Sequence, residues 1–357
     1  MRIAIIGSRG IPARYGGFET LAERLSGYLS GCGHKVTVYG EQDPFDRDLL
    51  RSRKTLFSKR RFPVLFYLES VLRTLRGYDT VLILGVGAGL FVLLYKLTGT
   101  RFITHVDGME QSRDKFSATQ RLFVRCSQRA TSFFAHDLVA DAETVAAWWA
   151  QHYGLPRSRI HVIRYGTDIR TDENIPVPEG LVRHGYYLVI ARIVPENNIR
   201  MIIEGFLLSG SRRKPVIIGN WNDSQYGLEL KRLFGGQVTM MDPVYDRDTV
   251  AAYRAWCYAY LHGHSVGGTN PTLVEALGSG SVTLCHDNPY NRETTDGTGR
   301  FFRDAVSLAE RIREIESLSD RSLEAERTIS LTVARNRYDW KDVGNAFEVI
   351  LAPAGRR

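Results

Sequence analysis

At 357 residues the chain exceeds what one hydrophobic core usually organises, so two domains are expected. Charged and apolar fractions of 24% and 43% are those of an ordinary globular protein and exclude a disordered or fibrous chain. A net charge of +8 favours anionic partners without choosing among phosphate, nucleic acid and lipid, and four scattered cysteines offer no metal-binding spacing and read as buried thiols of a reducing compartment.

Arg2–Ile6 is a short continuous apolar run, the mark of a central parallel strand, and with a strand so early no signal peptide is expected. Gly7-Ser8-Arg9-Gly10 then turns the chain. Gly16 and Gly17 precede a helix whose apolar stripe is Leu21, Leu25, Tyr28 and Leu29, and Lys35–Tyr39 is the second strand. This βαβ unit lacks G-x-G-x-x-G and an acidic cap on its second strand. Gly40-Glu41 comes close, which leaves a nicotinamide site as a minor alternative.

A basic run follows, with Arg51, Arg53, Lys54, Lys59, Arg60 and Arg61 interleaved by Phe57, Phe62, Phe66 and Tyr67. It reads either as a solvated charged loop or as a basic, amphipathic surface for anionic lipid or a pyrophosphate-linked acceptor. The apolar run Val81–Tyr95 is about fifteen residues long, short of the roughly twenty that span a bilayer. Gly85, Gly87 and Gly89 break it into a third strand (Thr80–Leu84), a loop where backbone can approach a ligand, and a helix. Arg101–His105 is the fourth strand. His105 and Asp107 lie at its carboxyl end, where open α/β sheets bind ligands, so both are candidate site residues against a structural histidine and a capping aspartate. Arg113–Arg129 reads as a basic amphipathic helix, Phe133–Ala140 as a fifth strand, Asp141 as a helix cap and Ile160–Tyr165 as a sixth strand.

The polar segment Asp172–Pro178 reads as a linker, after which alternation restarts. Strands are expected at Tyr186–Ala191, Pro215–Ile218, Val238–Met241, Ser281–Cys285 and Arg300–Phe302. Within this second series, Tyr258–Leu261 ends a buried strand, and the loop from His262 to Asn270 leads to Pro271 at a first helical turn. Such a loop aims unpaired N–H groups and a helix dipole at an anion, and Glu275 lies in the first turn or so, within reach of hydroxyls on the same ligand. Phosphate plus hydroxyls suits a sugar nucleotide; an ordinary strand–loop–helix connection is the plain alternative. Two D-x-D triplets, Asp46–Asp48 and Asp246–Asp248, raise a Mg²⁺–diphosphate site. Asp248 fits better as a cap for a helix starting at Thr249, so no metal and no cofactor are expected.

At Arg192 and Glu275 the chain resembles the retaining glycosyltransferases of family four. The resemblance runs through Gly16-Gly17, Arg192 with Glu196-Asn197-Asn198, the helix start ending at Glu275, and Tyr338-Asp339-Trp340. It implies an α/β GT-B fold, two Rossmann-like domains facing across a cleft: an acceptor domain at 1–170, a nucleotide-sugar domain at 171–337, and a helix at 338–357 crossing back to the first. IGSRGIPARYGGFET, HVDG, RIVPENN and HGHSVGGTNPTLVEALGSG are more closely similar to bacterial rhamnosyltransferases of surface-polysaccharide assembly. That implies transfer of a sugar, rhamnose for preference, from a dTDP or UDP donor to a saccharide or polyprenyl-diphosphate-linked acceptor. The protein would be cytoplasmic, with a peripheral face for anionic membrane at Arg53, Lys54, Lys59, Arg60 and Arg61, and would bind no nucleic acid.

The same resemblance implies roles for residues. Arg192 would hold the diphosphate; Gly16, Gly17, Asn197, Gly268, Thr269, Asn270 and Thr272 would line it; Glu275 would take ribose or deoxyribose hydroxyls; His105 or Asp107 would meet the sugar. Two positions depart from the family. Gly267 stands where the first of two glutamates is usual, and Asn197 where a lysine often accompanies the arginine. An epimerase or hydrolase on the same fold, or a non-catalytic sugar-nucleotide-binding partner, are the other readings.

Overall fold

The computed structural model describes residues 1–13, 16–106, 117–170 and 175–352. The chain forms two compact units, Met1–Tyr165 with Trp340–Arg357, and Gly166–Asp339. The change of unit falls at a short parallel bridge, Thr167 with Asp339, and Thr167 N–H donates to Tyr338 O at 2.8 Å.

The first unit is built on strands β1 (Arg2–Ile6), β2 (Lys35–Gly40), β3 (Phe45–Arg47), β4 (Leu50–Lys54), β5 (Thr80–Leu84), β6 (Arg101–Val106), β7 (Asp137–Ala140) and β8 (Ile160–Val162). Their order in the sheet is β3-β4-β2-β1-β5-β6-β7-β8, parallel except for the edge pair β3–β4. Leaving β3 aside, the chain moves from β1 outward through β2 to β4, then returns to β5 on the other side of β1. This is the doubly wound order, with its reversal at β1. Ile3, Ala4, Ile5 and Ile6 are fully buried because helices cover both faces of a parallel sheet. The helices are α1 (Gly17–Gly31), α2 (Pro63–Thr74), α3 (Leu93–Thr98), α4 (Ala118–Phe134) and α5 (Glu143–Tyr153).

The second unit repeats the plan. Strands β9 (Tyr186–Ile190), β10 (Lys214–Ile218), β11 (Thr239–Met241), β12 (Ala259–His262), β13 (Thr283–His286) and β14 (Arg300–Phe302) lie in the order β11-β10-β9-β12-β13-β14, all parallel. This is the dinucleotide-fold order, reversing at β9 and β12. The helices are α6 (Ile199–Ser209), α7 (Gln225–Phe234), α8 (Arg247–Trp256), α9 (Pro271–Gly278), α10 (Pro289–Thr294), α11 (Ala305–Glu316) and α12 (Asp320–Arg337). The last helix, α13 (Trp340–Leu351), belongs to the first unit: Val343, Phe347, Ile350 and Leu351 are buried in its core, and Gly344 allows Tyr28 of α1 to approach its backbone.

Several local expectations are corrected. The basic run is no loop at its start, because Arg53 and Lys54 lie on β4, whose charges pair with neighbours: Arg53 with Asp46 at 2.6 Å and Lys54 with Asp43 at 2.9 Å. Residues 133–134 continue α4, and the strand starts only at Asp137. Asp246, not Asp248, caps α8 by accepting from Thr249 N–H at 2.8 Å; Asp248 pairs with Arg170. The N-cap of α5 is Ala142 rather than Asp141. Gly87 and Gly89 serve internal packing instead of a ligand, since a Cβ would lie 2.1 Å from the Tyr67 ring and 2.1 Å from Ser127 O. Cys32 and Cys126 are exposed; Cys257 and Cys285 are buried, which pushes their thiols up to about 11 and about 12. Among the described residues no helix is long and apolar enough to cross a membrane.

Candidate functional site

In the second unit β9 and β12 are neighbours, so the loops leaving their carboxyl ends run side by side. Four contacts lock them together. Asn198 Nδ2 donates to Gly263 O at 2.8 Å, Ser265 N–H and Oγ donate to Glu196 O at 3.0 and 2.9 Å, and a Cβ at Gly263 would come within 2.2 Å of Asn197 O. Asn197 is buried and donates from Nδ2 to Arg192 O at 2.8 Å. Its amide is therefore used to fix the Arg192 backbone. The Arg192 guanidinium is exposed, and among the described residues it has no ion pair or side-chain hydrogen bond. An arginine presented on a fixed loop with an unused fork is suited to phosphate.

The adjoining helix α9 starts as its sequence implies. Pro271 occupies the first turn and Leu273, Val274, Ala276 and Leu277 are buried. Asn270 caps it, its Oδ1 accepting from Thr272 N–H at 3.1 Å and from Thr272 Oγ at 2.8 Å. Thr272 is thus satisfied within the cap, worth about 1 kcal/mol to the helix. Thr269 is buried and Gly268 half-buried. Glu275 lies in the second turn, where Arg254 of α8 holds its Oε2 at 2.5 Å. Arg254 is 7% exposed and Glu275 36%, so the guanidinium is a buried anchor and the carboxylate reaches solvent. No partner for Oε1 is seen among the described residues. Arg254 escaped the sequence reading because a tertiary pair across two helices leaves no local signal.

Gly267 has φ +138 with open space around a Cβ position. Side chains rarely adopt that backbone region. The position where the family has a glutamate is therefore built here for glycine.

In the first unit, Gly16 (φ +88) and Gly17 do begin α1, but the helix N-terminus already has a carboxylate. Glu19 is buried, its Oε1 accepts from Arg9 N–H at 2.8 Å, and its Oε2 would lie 2.9 Å from a Cβ at Gly16. Lys59 turns inward, donating from Nζ to Gly7 O at 2.5 Å; Arg51 and Lys54 are exposed but face Asp46 and Asp43, and Arg60 and Arg61 are exposed with no ion pair among the described residues. His105 is 1% exposed, its ring enclosed by Phe18, Tyr165 and Phe347 at centroid distances of 5.4, 5.7 and 6.2 Å. This is a packing position within the core. Asp107 lies outside the described residues. Of the four acids in the two D-x-D triplets three are engaged, Asp46 with Arg53, Asp246 in its cap and Asp248 with Arg170. Among the described residues no group of three metal-ligating side chains is placed to hold an ion.

Residues 15–171 match the family described as Glycosyltransferase Family 4. The match spans a little under half of the chain. No curated protein matches the chain. Among solved structures, sucrose-phosphate synthase from Thermosynechococcus elongatus superposes with a TM-score of 0.78 at 14% identity, covering 98% of each chain. Anabaena HepE in complex with UDP-glucose superposes at 0.75 and 15%, covering 98% of this chain and 99% of that one. An E. coli trehalose-6-phosphate protein bound with UDP-2-fluoro glucose superposes at 0.77 and 13%, covering 98% and 99%. These likenesses give the fold, which is GT-B with two Rossmann-like units. Family match and fold together support glycosyltransferase activity.

Proposed function

We propose that this chain transfers a sugar from a nucleoside-diphosphate sugar to a saccharide or lipid-linked saccharide acceptor, with retention at the anomeric carbon and without a metal ion. The carrying observation is that, among the described residues, the Arg192 guanidinium on its locked loop and the Glu275 Oε1 oxygen on the adjoining helix α9 have no partner at the fold reversal of the second unit. One can neutralise a diphosphate and the other accept from ribose hydroxyls. As the glycosidic bond breaks, negative charge gathers on the leaving diphosphate, so a pre-aimed guanidinium lowers the barrier where charge develops. An acceptor hydroxyl attacking from the same face would pass its proton to a phosphate oxygen.

That HepE is seen with UDP and with UDP-glucose supports a nucleotide-sugar donor of this type. The choice of rhamnose, the dTDP or UDP base and a role in bacterial surface polysaccharide rest on the sequence resemblance. In this proposal the first unit takes the acceptor. Exposed Arg60 and Arg61, beside exposed Leu56 and Phe62, support a cytoplasmic protein with peripheral contact to an anionic membrane.

The test is a thermal-shift panel of UDP, dTDP and GDP, followed by transfer assays with their rhamnose and glucose conjugates. A ligand that binds only the folded chain must raise its melting temperature. Stabilisation by one series, with acceptor-dependent release of the diphosphate, is expected. Donor consumption without any acceptor would replace transfer by hydrolysis, and no stabilisation by any of the three would remove the donor site.

A further inference from the structure

The loop beside Arg192 carries a second group. Tyr260, His262 and His264 alternate along β12 and its extension, so their rings share one face of the strand. They form a continuous stack: Tyr260 to His262 at 6.0 Å and 28°, His262 to His264 at 4.4 Å and 11°. The stack starts in the core, where Tyr260 OH donates to Ile190 O at 3.1 Å, and ends at the carboxyl end of the sheet. His262 is 1% exposed, and neither of its ring nitrogens has a hydrogen-bond partner among the described residues. A buried imidazole with both nitrogens unpartnered is costly and calls for a reason. Here it supplies a flat face that fixes the plane of the next ring.

That next ring is held from its backbone as well. His264 O accepts from Asn288 Nδ2 at 2.8 Å and from Asn291 Nδ2 at 2.9 Å. Of its two nitrogens, Nδ1 is the one sealed without a partner among the described residues, which leaves Nε2 as the nitrogen able to meet a ligand. A sealed bare nitrogen costs less than a sealed N–H, so the proton belongs on Nε2. Burial, with Arg192 adding to it, pushes the His264 pKa down to about 3, and the ring is neutral at pH 7.

We infer that His264 is a second diphosphate-binding residue, its Nε2–H donating to an oxygen of the same group that Arg192 grips, with His262 as the positioning residue that sets its ring plane. The inference rests on the donor-site reading above and deepens it. A neutral donor next to a cation suits a diphosphate, whose several oxygens need more hydrogen bonds than one guanidinium fork provides.

The experiment is calorimetric titration of the full chain with whichever of UDP, dTDP and GDP binds most tightly, and with the matching nucleoside. His264→Ala is expected to weaken the diphosphate about tenfold or more while leaving the nucleoside unchanged. His264→Gln, whose amide nitrogen reaches the Nε2 position, should recover part of the loss, and His264→Asn, which reaches only as far as Nδ1, should not. Equal diphosphate affinity of wild type and His264→Ala, with Arg192→Ala still weakened, overturns this inference and leaves the donor site standing. If the alanine variant fails to fold, equal affinities of the Gln and Asn variants overturn it in the same way. No binding of any of the three diphosphates to wild type overturns both.

Discussion

The two units answer the same topological problem in opposite ways. Each reverses its strand order at a glycine-containing loop, the place where an open α/β sheet can bind a ligand. In the first unit the reversal at β1 is filled from within. Glu19 supplies a carboxylate to Arg9 N–H and Lys59 an ammonium to Gly7 O, while a Cβ at Gly7 would meet Leu84 O at 2.3 Å. In the second unit the reversal at β9 and β12 leaves Arg192, one nitrogen of His264 and one oxygen of Glu275 unused among the described residues, although the backbone around them is tightly pinned. A loop that satisfies its own charges is finished architecture. One that fixes its backbone and leaves charged tips open is prepared for something else.

The largest effect should come from removing the open cation. Arg192→Ala should leave the melting temperature of the unliganded chain unchanged, because the side chain is exposed and unpaired. It should weaken nucleoside-diphosphate binding on the order of 100-fold, with Arg192→Lys intermediate, since an ammonium cannot reproduce the bidentate fork. Calorimetry on the three proteins checks this. Unchanged affinity in Arg192→Ala would erase the contrast between the two reversals.

Next in size is Glu275→Gln, expected to reduce nucleoside-diphosphate affinity about tenfold by losing a charged acceptor for sugar hydroxyls. Arg254→Met should act in the same direction through the orientation of Glu275, and should also lower stability because the buried anchor is lost. Comparing ribose and 2′-deoxyribose diphosphates sharpens the test. If Glu275 accepts from the 2′-hydroxyl, its substitution narrows the gap between the two.

Much of this was legible in the sequence, for physical reasons that differ by element. β1, β5, β6 and β12 are covered on both faces, so their burial is written as continuous apolar runs. The α9 start was legible because Pro271 and Asn270 act locally. The edge pair β3–β4 was not, since a strand whose charges are neutralised across the hairpin by Asp43 and Asp46 looks like a solvated run. Arg254 and His264 were hidden for another reason: each takes its meaning from a partner on a different element, Glu275 in one case and Arg192 with Asn288 and Asn291 in the other. In the sequence Gly267 shows only as a missing glutamate, and its backbone angle reveals that glycine is what the loop requires.

The histidine stack also ties the second reversal to pH. Burial holds His262 well below the ordinary histidine value, and His264 is down at about 3. The unfolded chain, whose histidines titrate near 6.5, therefore takes up these protons first as pH falls. Stability is fully present above about 6.5 and is lost progressively toward the folded values, at up to ~1.4 kcal/mol per pH unit for each group. Denaturant unfolding at pH 7.5, 6 and 5 should show this slope, and His262→Phe, which keeps the stacked ring without its protons, should flatten it.

A smaller effect is expected from restoring the family glutamate. At φ +138 an L side chain is strained, so Gly267→Glu should cost about 1 kcal/mol, read as a lower melting temperature, and bring no gain in donor affinity. A rise in affinity would mean that the loop rearranges readily, and that its pinning by Asn198 and Ser265 is weaker than the hydrogen bonds suggest.

The smallest effect belongs to the other reversal. Glu19→Gln removes a carboxylate from the N-terminus of α1, where the helix dipole and Arg9 N–H stabilise it, at a cost of about 1 kcal/mol. The neutral amide still accepts from Arg9, so the fold persists. If the first reversal is finished architecture, nucleoside-diphosphate affinity should not move. A tighter diphosphate in Glu19→Gln would mean that this helix start is an anion site held off by its own acid. The two units would then differ in the occupant of one side chain's position and not in design.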